Sequence, residues 1–355
     1  MPDRVFMGLA KKAALAGALA RPNLGISGKP YKLIYAVTYK CNMKCKQCLI
    51  WKKKPRNELS LGEIESFFRN SQGLCWVDLT GGEPALRKDI FEIIPAIFEN
   101  SKKLSMFHFP TNGFLTDRIY QMALESLKFR PEKFAVTISL DGPETLHDRL
   151  HGRKNSWQHA VSTYKLLSSI KQKGFEVKFA YTASNHNAGM LAETFLALRE
   201  EVPELRPEDM HFNLAHFSKH YYGNSGLEEK LDAGKISRDI AFLRKSPGSL
   251  GVTRLFGQKY LSLAGPYLAS GITPVPCTAL SSFFFMAPDG SVFPCTIFGE
   301  CLGNIRDHGF STERLFGRAK YGVALKKIRE GNCPQCWSPC QAYPSLAGSI
   351  PRLLT

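Results

Sequence analysis

No run in this 355-residue chain approaches the roughly 20 uninterrupted apolar residues that a membrane-spanning helix needs, which excludes an integral helical membrane protein. A signal peptide is also missing. The basic, apolar N-terminus is interrupted by Lys11 and Lys12, and no cleavage site with a polar flank follows. Without export a disulfide framework is not expected, because cytosolic thiols are kept reduced. Acidic residues are few beside basic ones: 31 Asp+Glu against 47 Lys+Arg leave a net charge of +16. There is no low-complexity tract and no repeat beyond a strand–helix alternation. A hydrophobic content of 44% with 22% charged residues excludes global disorder, and the length allows one large domain or a large one with a small one.

Cysteine, by contrast, is abundant and clustered. Cys41, Cys45 and Cys48 fall within eight residues and Cys75 stands alone. Cys277, Cys295, Cys301, Cys333, Cys336 and Cys340 occupy the last quarter. Short spacings of this kind point to metal or iron–sulfur ligation, with a zinc ribbon as the plainer reading of the C-terminal set. Cys75 reads as a small buried residue in a strand.

Between residues 31 and about 246, β-branched and aromatic runs alternate with amphipathic stretches. The pattern predicts strands at Leu33–Lys40, Cys75–Thr80, Leu104–Pro110, Phe134–Leu140, Val177–Thr182 and Met210–Phe217. The helices predicted between and after them are Leu61–Asn70, Asp89–Glu99, Thr116–Lys128, Trp157–Lys173, Ala188–Glu201 and Leu227–Arg244. Six such units imply an α/β fold with a parallel sheet, a partial (β/α)6 TIM-like barrel whose chemistry sits at the C-terminal strand ends. The motifs obey that rule. Cys41 follows strand one, Gly81-Gly82-Glu83-Pro84 strand two, Thr111-Asn112-Gly113 strand three, Ser139-Leu140-Asp141-Gly142 strand four and Ser184-Asn185 strand five. The breaker-rich stretch 247–276 reads as a linker. Residues 277–345 read as a small auxiliary cluster domain stapled by a metal group, and 346–355 as an apolar tail.

Three thiolates on one tight loop can hold three corners of a [4Fe–4S] cubane and leave its fourth iron open to a ligand. Zinc would want a fourth Cys or His close by, and none follows before Cys75. The string Cys41-Asn42-Met43-Lys44-Cys45-Lys46-Gln47-Cys48, with the glycine-rich and Thr-Asn-Gly motifs in order behind it, resembles the radical S-adenosylmethionine (SAM) superfamily. That resemblance implies that Cys41, Cys45 and Cys48 ligate the cluster while SAM chelates the open iron. It places Gly81, Gly82 and Glu83 at the methionyl amine and Pro84 in the turn. Asn112 and Ser139 fall at the ribose or carboxylate. The cofactor would then yield a 5′-deoxyadenosyl radical, which the protein orients. A flavodoxin- or ferredoxin-type electron donor is the partner such chemistry implies.

Two positions depart from the family pattern. Gln47 replaces an apolar or aromatic residue before the third cysteine. The family's His-Asp-x-x-Arg-Gly string reads His147-Asp148-Arg149-Leu150-His151-Gly152-Arg153, leaving Arg149 or Arg153 for the arginine's work. The C-terminal cysteines resemble SPASM and Twitch extensions, which carry auxiliary [4Fe–4S] clusters. The shorter one-cluster form implies Cys277, Cys295, Cys333 and Cys336 as ligands, with Cys340 able to replace one. Cys301 is a further ligand or a free thiol.

For the substrate, the first expectation is a lipid or membrane-derived molecule. Val5, Phe6, Leu9, Ala13, Ala16 and Ala20 share one helical face of a basic N-terminal segment, 1–30, suited to an anionic membrane surface. This places the protein in the cytoplasm, peripheral at the inner membrane face, although the same helix could simply cap the barrel. A peptide substrate is the alternative, set against the mere 30 residues before strand one, too few for a leader-binding domain. Oxidation of a sugar or other small alcohol is a third reading. Nucleic acid ranks low, because the basic residues are dispersed. The non-enzyme alternative is an iron–sulfur electron carrier. His211, His216, His220, Tyr221 and Tyr222 around the last strand are candidate substrate contacts, or core and solvated residues on the plainer reading.

Overall fold

The computed structural model describes residues 17–18, 29–245 and 251–348. The N-terminal amphipathic segment, apart from residues 17, 18, 29 and 30, and the C-terminal tail beyond Gly348 lie outside them. The strands are β1 (Lys32–Ala36), β2 (Trp76–Thr80), β3 (Met106–Thr111), β4 (Lys133–Ser139), β5 (Phe175–Ala183), β6 (Met210–Leu214), β7 (Phe283–Met286), β8 (Ser291–Phe293) and β9 (Gly303–Asn304). The helices are α1 (Leu61–Asn70), α2 (Ile90–Glu99), α3 (Thr116–Lys128), α4 (Glu144–His151), α5 (Ser156–Ser168) and α6 (Leu191–Glu201). They continue with α7 (Ala233–Lys245), α8 (Val252–Ser270), α9 (Thr312–Phe316), α10 (Ala319–Arg329) and α11 (Pro339–Ala347). Among the described residues no helix is long and apolar enough to cross a membrane.

One sheet runs through the molecule in the order β6-β5-β4-β3-β2-β1-β7-β8-β9, parallel from β6 to β7 and antiparallel thereafter. The six parallel strands of the expected half-barrel are therefore adjacent and in sequence order. Side-chain alternation decides their two faces. On β3, Phe107 and Phe109 are buried beneath the helices, while Met106, His108 and Pro110 face the lumen and keep some exposure. Each fully buried phenylalanine of this kind is worth about 1.5–3 kcal/mol. Local signals support the helices: Ser60 and Glu63 form a capping box on α1, with Ser60 N–H to Glu63 Oε2 at 2.8 Å.

Three expectations need correction. Strand one was expected to reach Lys40, but pairing stops at Ala36, because residues 37–40 turn to bind the loop after β2. The stretch expected as a linker holds α8, 19 residues long with Pro266 inside it. Packing overrides the breaker residues there. Tyr260 of α8 stacks on Trp337 with ring centroids 5.5 Å apart, and each donates a hydrogen bond to the other's backbone carbonyl. Finally, the cysteine-bearing C-terminal segment is not set apart, since β7 lies along β1 in the barrel's own sheet. Helix α4, unforeseen, follows the Ser-Leu-Asp-Gly motif.

Together α8 and α11 line the side of the half-barrel that the strands leave open. A lumen of about 740 Å³ remains between them, walled by β1–β6 and by Tyr260, Leu261, Cys340 and Tyr343.

Candidate iron–sulfur and cofactor site

The loop carrying Cys41, Cys45 and Cys48 is held from three sides. Gly82 N–H donates to Thr38 O and Glu83 N–H to Lys40 O, both at 2.8 Å. A Cβ at Gly81 (φ +150°) would fall 2.3 Å from Thr38 O, and one at Gly82 would fall 2.2 Å from Lys40 O. These glycines are needed because the turn presses backbone to backbone against the cysteine loop. From the opposite side Lys44 and Lys46 N–H donate to the carbonyls of His151 and Leu150, at 2.9 Å each. The segment after β6 supplies the third hold: Leu49 N–H donates to Tyr222 O at 2.9 Å, and Asn224 Nδ2 to Gln47 O at 2.7 Å.

The three thiols are half-buried and within electrostatic reach of one another. Burial, with the neighbouring thiols adding to it, pushes Cys41 and Cys48 up to about 12. Cys41 and Cys48, held protonated by burial and by the neighbouring thiols, suit a bound cationic group that would draw off their protons. Among the described residues no three His, Cys, Asp or Glu side chains converge closely enough for a single metal ion.

The expected SAM contacts gather beside this loop, with one correction. The Glu83 carboxylate does not face open space. It is 1% exposed and accepts hydrogen bonds from Asn112 N–H at 2.7 Å, Thr111 Oγ1 at 2.9 Å and Ala85 N–H at 3.2 Å. Desolvation raises it to about 7 against those donors. Pro84 opens the short turn that follows. Asn112 Nδ2 donates to Asn42 Oδ1 at 2.7 Å, and Arg153 Nη1 donates to Asn42 O at 2.8 Å. The Arg153 guanidinium also lies 3.6 Å from the Phe114 ring centroid. Both therefore border the cysteine loop, and half-buried Ser139 ends β4 at the same rim.

His151 stands where the family string has its arginine, a substitution the spacing alone could have shown. Its Nε2 lies 3.0 Å from Asp141 Oδ2, and its ring lies against the Cys45 thiol. Burial opposes the imidazolium, but Cys45 and Asp141 outweigh it and push His151 up to about 10. Gln47 also belongs to this network, donating to Asp141 Oδ2 at 3.2 Å and accepting from Ser184 Oγ at 3.2 Å.

The C-terminal cysteines sort cleanly. Cys277, Cys295, Cys333 and Cys336 all lie within electrostatic reach of one another. Burial and mutual repulsion push Cys277 up to about 12, and burial pushes Cys295 up to about 11. Backbone N–H groups already point at sulfur: Ala279 to Cys277 Sγ at 3.4 Å, and Phe298 to Cys295 Sγ at 3.2 Å. Four clustered thiols, Cys295 and Cys336 buried and Cys277 and Cys333 half-buried, with amide donors at sulfur, suit a second cluster. Cys340, expected as an interchangeable ligand, lies on α11 and lines the lumen near Lys32 and Asp78. Cys301 is exposed and stands outside the set.

The His/Tyr group after β6 connects the two thiol sets. His220 Nε2 lies 2.9 Å from Cys295 O, while Tyr221 donates to Gly81 O at 3.1 Å and contacts Thr80 Oγ1. These residues are structural ties between the two loops. His211 alone of the group borders the lumen.

The profile described as "Radical SAM superfamily" matches residues 35–195. The chain is 31% identical over 145 residues to the antilisterial bacteriocin subtilosin biosynthesis protein AlbA of Bacillus subtilis, covering 39% of this chain and 31% of that protein. A probable GTP 3',8-cyclase of Thermococcus kodakarensis is 30% identical over 227 residues, 58% of this chain and 67% of that one. The AdoMet-dependent heme synthase of Methanosarcina barkeri is 23% identical over 344 residues, 88% of this chain and 90% of that one. The chain thus spans less than a third of the first relative but nearly all of the last. Among solved structures, native anSMEcpe with bound AdoMet and Kp18Cys peptide superposes with a TM-score of 0.59 at 19% identity, covering 92% of this chain and 98% of that one.

Proposed function

Because this chain belongs to the radical SAM superfamily, whose members use a [4Fe–4S] cluster and SAM, we propose that it is a peptide-modifying maturase acting on an unactivated C–H bond. The observation that carries the reading is that the segment after β6 ties two thiol sets together, through Leu49 N–H to Tyr222 O on one side and His220 Nε2 to Cys295 O on the other. Cys41, Cys45 and Cys48 follow β1 at the C-terminal end of the sheet, and Cys277, Cys295, Cys333 and Cys336 lie in the segment joined to β1. Relatives named for peptide products favour a peptide over the lipid first expected, which nothing among the comparisons or the described residues supports.

Cys41, Cys45 and Cys48 would hold the SAM-binding cluster, and Cys277, Cys295, Cys333 and Cys336 the auxiliary one. When bound, the first cluster and SAM supply a carbon-centred radical that removes hydrogen from the substrate. The chain does the rest. The Gly81-Gly82 turn fixes the cysteine loop, and Asn112, Ser139 and Arg153 line the cofactor's side of it. Helices α8 and α11 shield the lumen from water. His151 and Asp141 brace Cys45.

A second reading, oxidation of a tetrapyrrole, is favoured by the near full-length match to the heme synthase. Anaerobic reconstitution with iron and sulfide counting, followed by a search for deuterium transfer into 5′-deoxyadenosine from labelled peptides and porphyrins, tests both. About eight irons per chain with label from a peptide supports the first reading. Label from a porphyrin alone supports the second. Four irons and no dithionite-dependent 5′-deoxyadenosine would indicate an electron carrier.

A further inference from the structure

The lumen is lined by charged side chains set among apolar ones, and most of those charges are matched. Lys32 Nζ pairs with Asp78 Oδ2 at 2.8 Å, Lys133 with Glu176 at 2.9 Å, and Arg206 with Glu208 at 2.7 Å. Lys178 differs. Its ammonium donates to the Glu208 backbone carbonyl at 3.1 Å, and no carboxylate among the described residues lies within ion-pair distance of it. Asp209 is within electrostatic reach, but its Oδ2 accepts the Arg206 amide at 2.8 Å.

Lys178 has company of one kind. Thr137 is its register partner on β4, and His211 lies beside Ala180 on β6. His108 Nε2 lies 3.0 Å from Thr137 Oγ1. All four residues line the lumen. Burial, with Lys178 and His108 nearby, holds His211 down to about 3, so its ring is a neutral hydrogen-bonding group. Asp78, the acid beside His108, already receives Lys32, His108 and Trp76 Nε1. An unmatched ammonium beside a hydroxyl and imidazole donors is a receptor for an anion of carboxylate size.

We propose that His108, Thr137, Lys178 and His211 bind a carboxylate of the substrate inside the half-barrel. This rests on the function proposed above. Lys178 lies five residues before the end of β5, about 16 Å from the cysteine-bearing rim at strand spacing. A substrate anchored here and reacting at the rim is therefore extended. An acidic side chain or terminus of a peptide meets that requirement, and so does the propionate of a tetrapyrrole.

The test is equilibrium dialysis with full-length reconstituted protein. The probes are hexaglutamate against hexaglutamine, and protoporphyrin IX against its dimethyl ester. Wild type, Lys178→Gln and Lys178→Arg are compared, with iron content as the check on folding. The expected result is at least tenfold tighter binding of one acid than of its neutral counterpart, lost in Lys178→Gln and kept in Lys178→Arg. Preference for hexaglutamate assigns the carboxylate to a peptide, and preference for protoporphyrin assigns it to a tetrapyrrole. Equal binding of acid and neutral probes, no binding of either acid, or a preference that survives Lys178→Gln overturns the proposal. Formation of 5′-deoxyadenosine by wild type is scored separately. Its absence would overturn the radical reading while leaving the binding result to stand.

Discussion

His151 Nε2 lies 3.0 Å from Asp141 Oδ2 in a buried pair that backs the Cys45 thiol. Asp141 also accepts Thr182 N–H at 2.7 Å and Gln47 Nε2 at 3.2 Å, so one carboxylate ties β5, α4 and the cysteine loop together. A donor beside a thiolate withdraws electron density from it, and partners of ligands tune metal groups this way. His151→Ala should shift the midpoint potential of the SAM-site cluster to more negative values. It should also slow SAM cleavage by ~10-fold or more. His151→Arg, restoring the family's residue, should recover most of both. Potentiometric EPR on the reconstituted variants reads the shift.

The buried Lys32–Asp78 pair predicts a second asymmetry. Asp78→Asn strands an ammonium that is 1% exposed, at a cost of about 3–5 kcal/mol. Replacing both partners, Lys32→Met with Asp78→Leu, should recover most of that loss. Urea unfolding of the two variants against wild type measures it.

Glu83 gives a pH dependence whose sign is opposite to that of an ion-paired carboxylate. Its folded value, about 7, lies above its ordinary 4.5, so the folded protein holds the proton more tightly. The stability this provides is present below about 4.5 and is lost as pH rises through 7. Glu83→Gln has no such titration. Its deficit relative to wild type in the metal-free protein should be larger at pH 5 than at pH 8, and urea midpoints at the two values check this.

Iron counting separates the cysteines. Cys333→Ala should reduce the reconstituted content from about eight to about four irons. Cys340→Ala and Cys301→Ala should leave it unchanged, because neither thiol lies with the four. A loss of cluster in Cys340→Ala would refute that division.

Much of this was legible in the sequence, and the exceptions share a cause. Strand β3 and helices α1 and α3 announce themselves through local periodicity, α1 also through its Ser60–Glu63 capping box, and the motifs fall at strand ends because a parallel sheet places them there. Helix α8 was hidden by Gly265 and Pro266, since its stability comes from Tyr260 packing on Trp337, 77 residues away. Cys340 sits four residues from Cys336 yet faces the lumen, which spacing along a chain cannot reveal. Glu83 reads as a ligand group by type, but its engagement with Thr111 and Asn112 is a tertiary fact. The charge match that leaves Lys178 over depends on six strands meeting around one space.

Strand β7 lies against β1, every residue of which is buried. A protein shortened before Phe283 would uncover the main-chain N–H and C=O groups along that strand, an adhesive border ready to recruit neighbouring molecules. The C-terminal fifth consequently acts as a guard against self-association as well as a holder of thiols, and trimmed versions should precipitate or oligomerise before any loss of catalysis can be assayed.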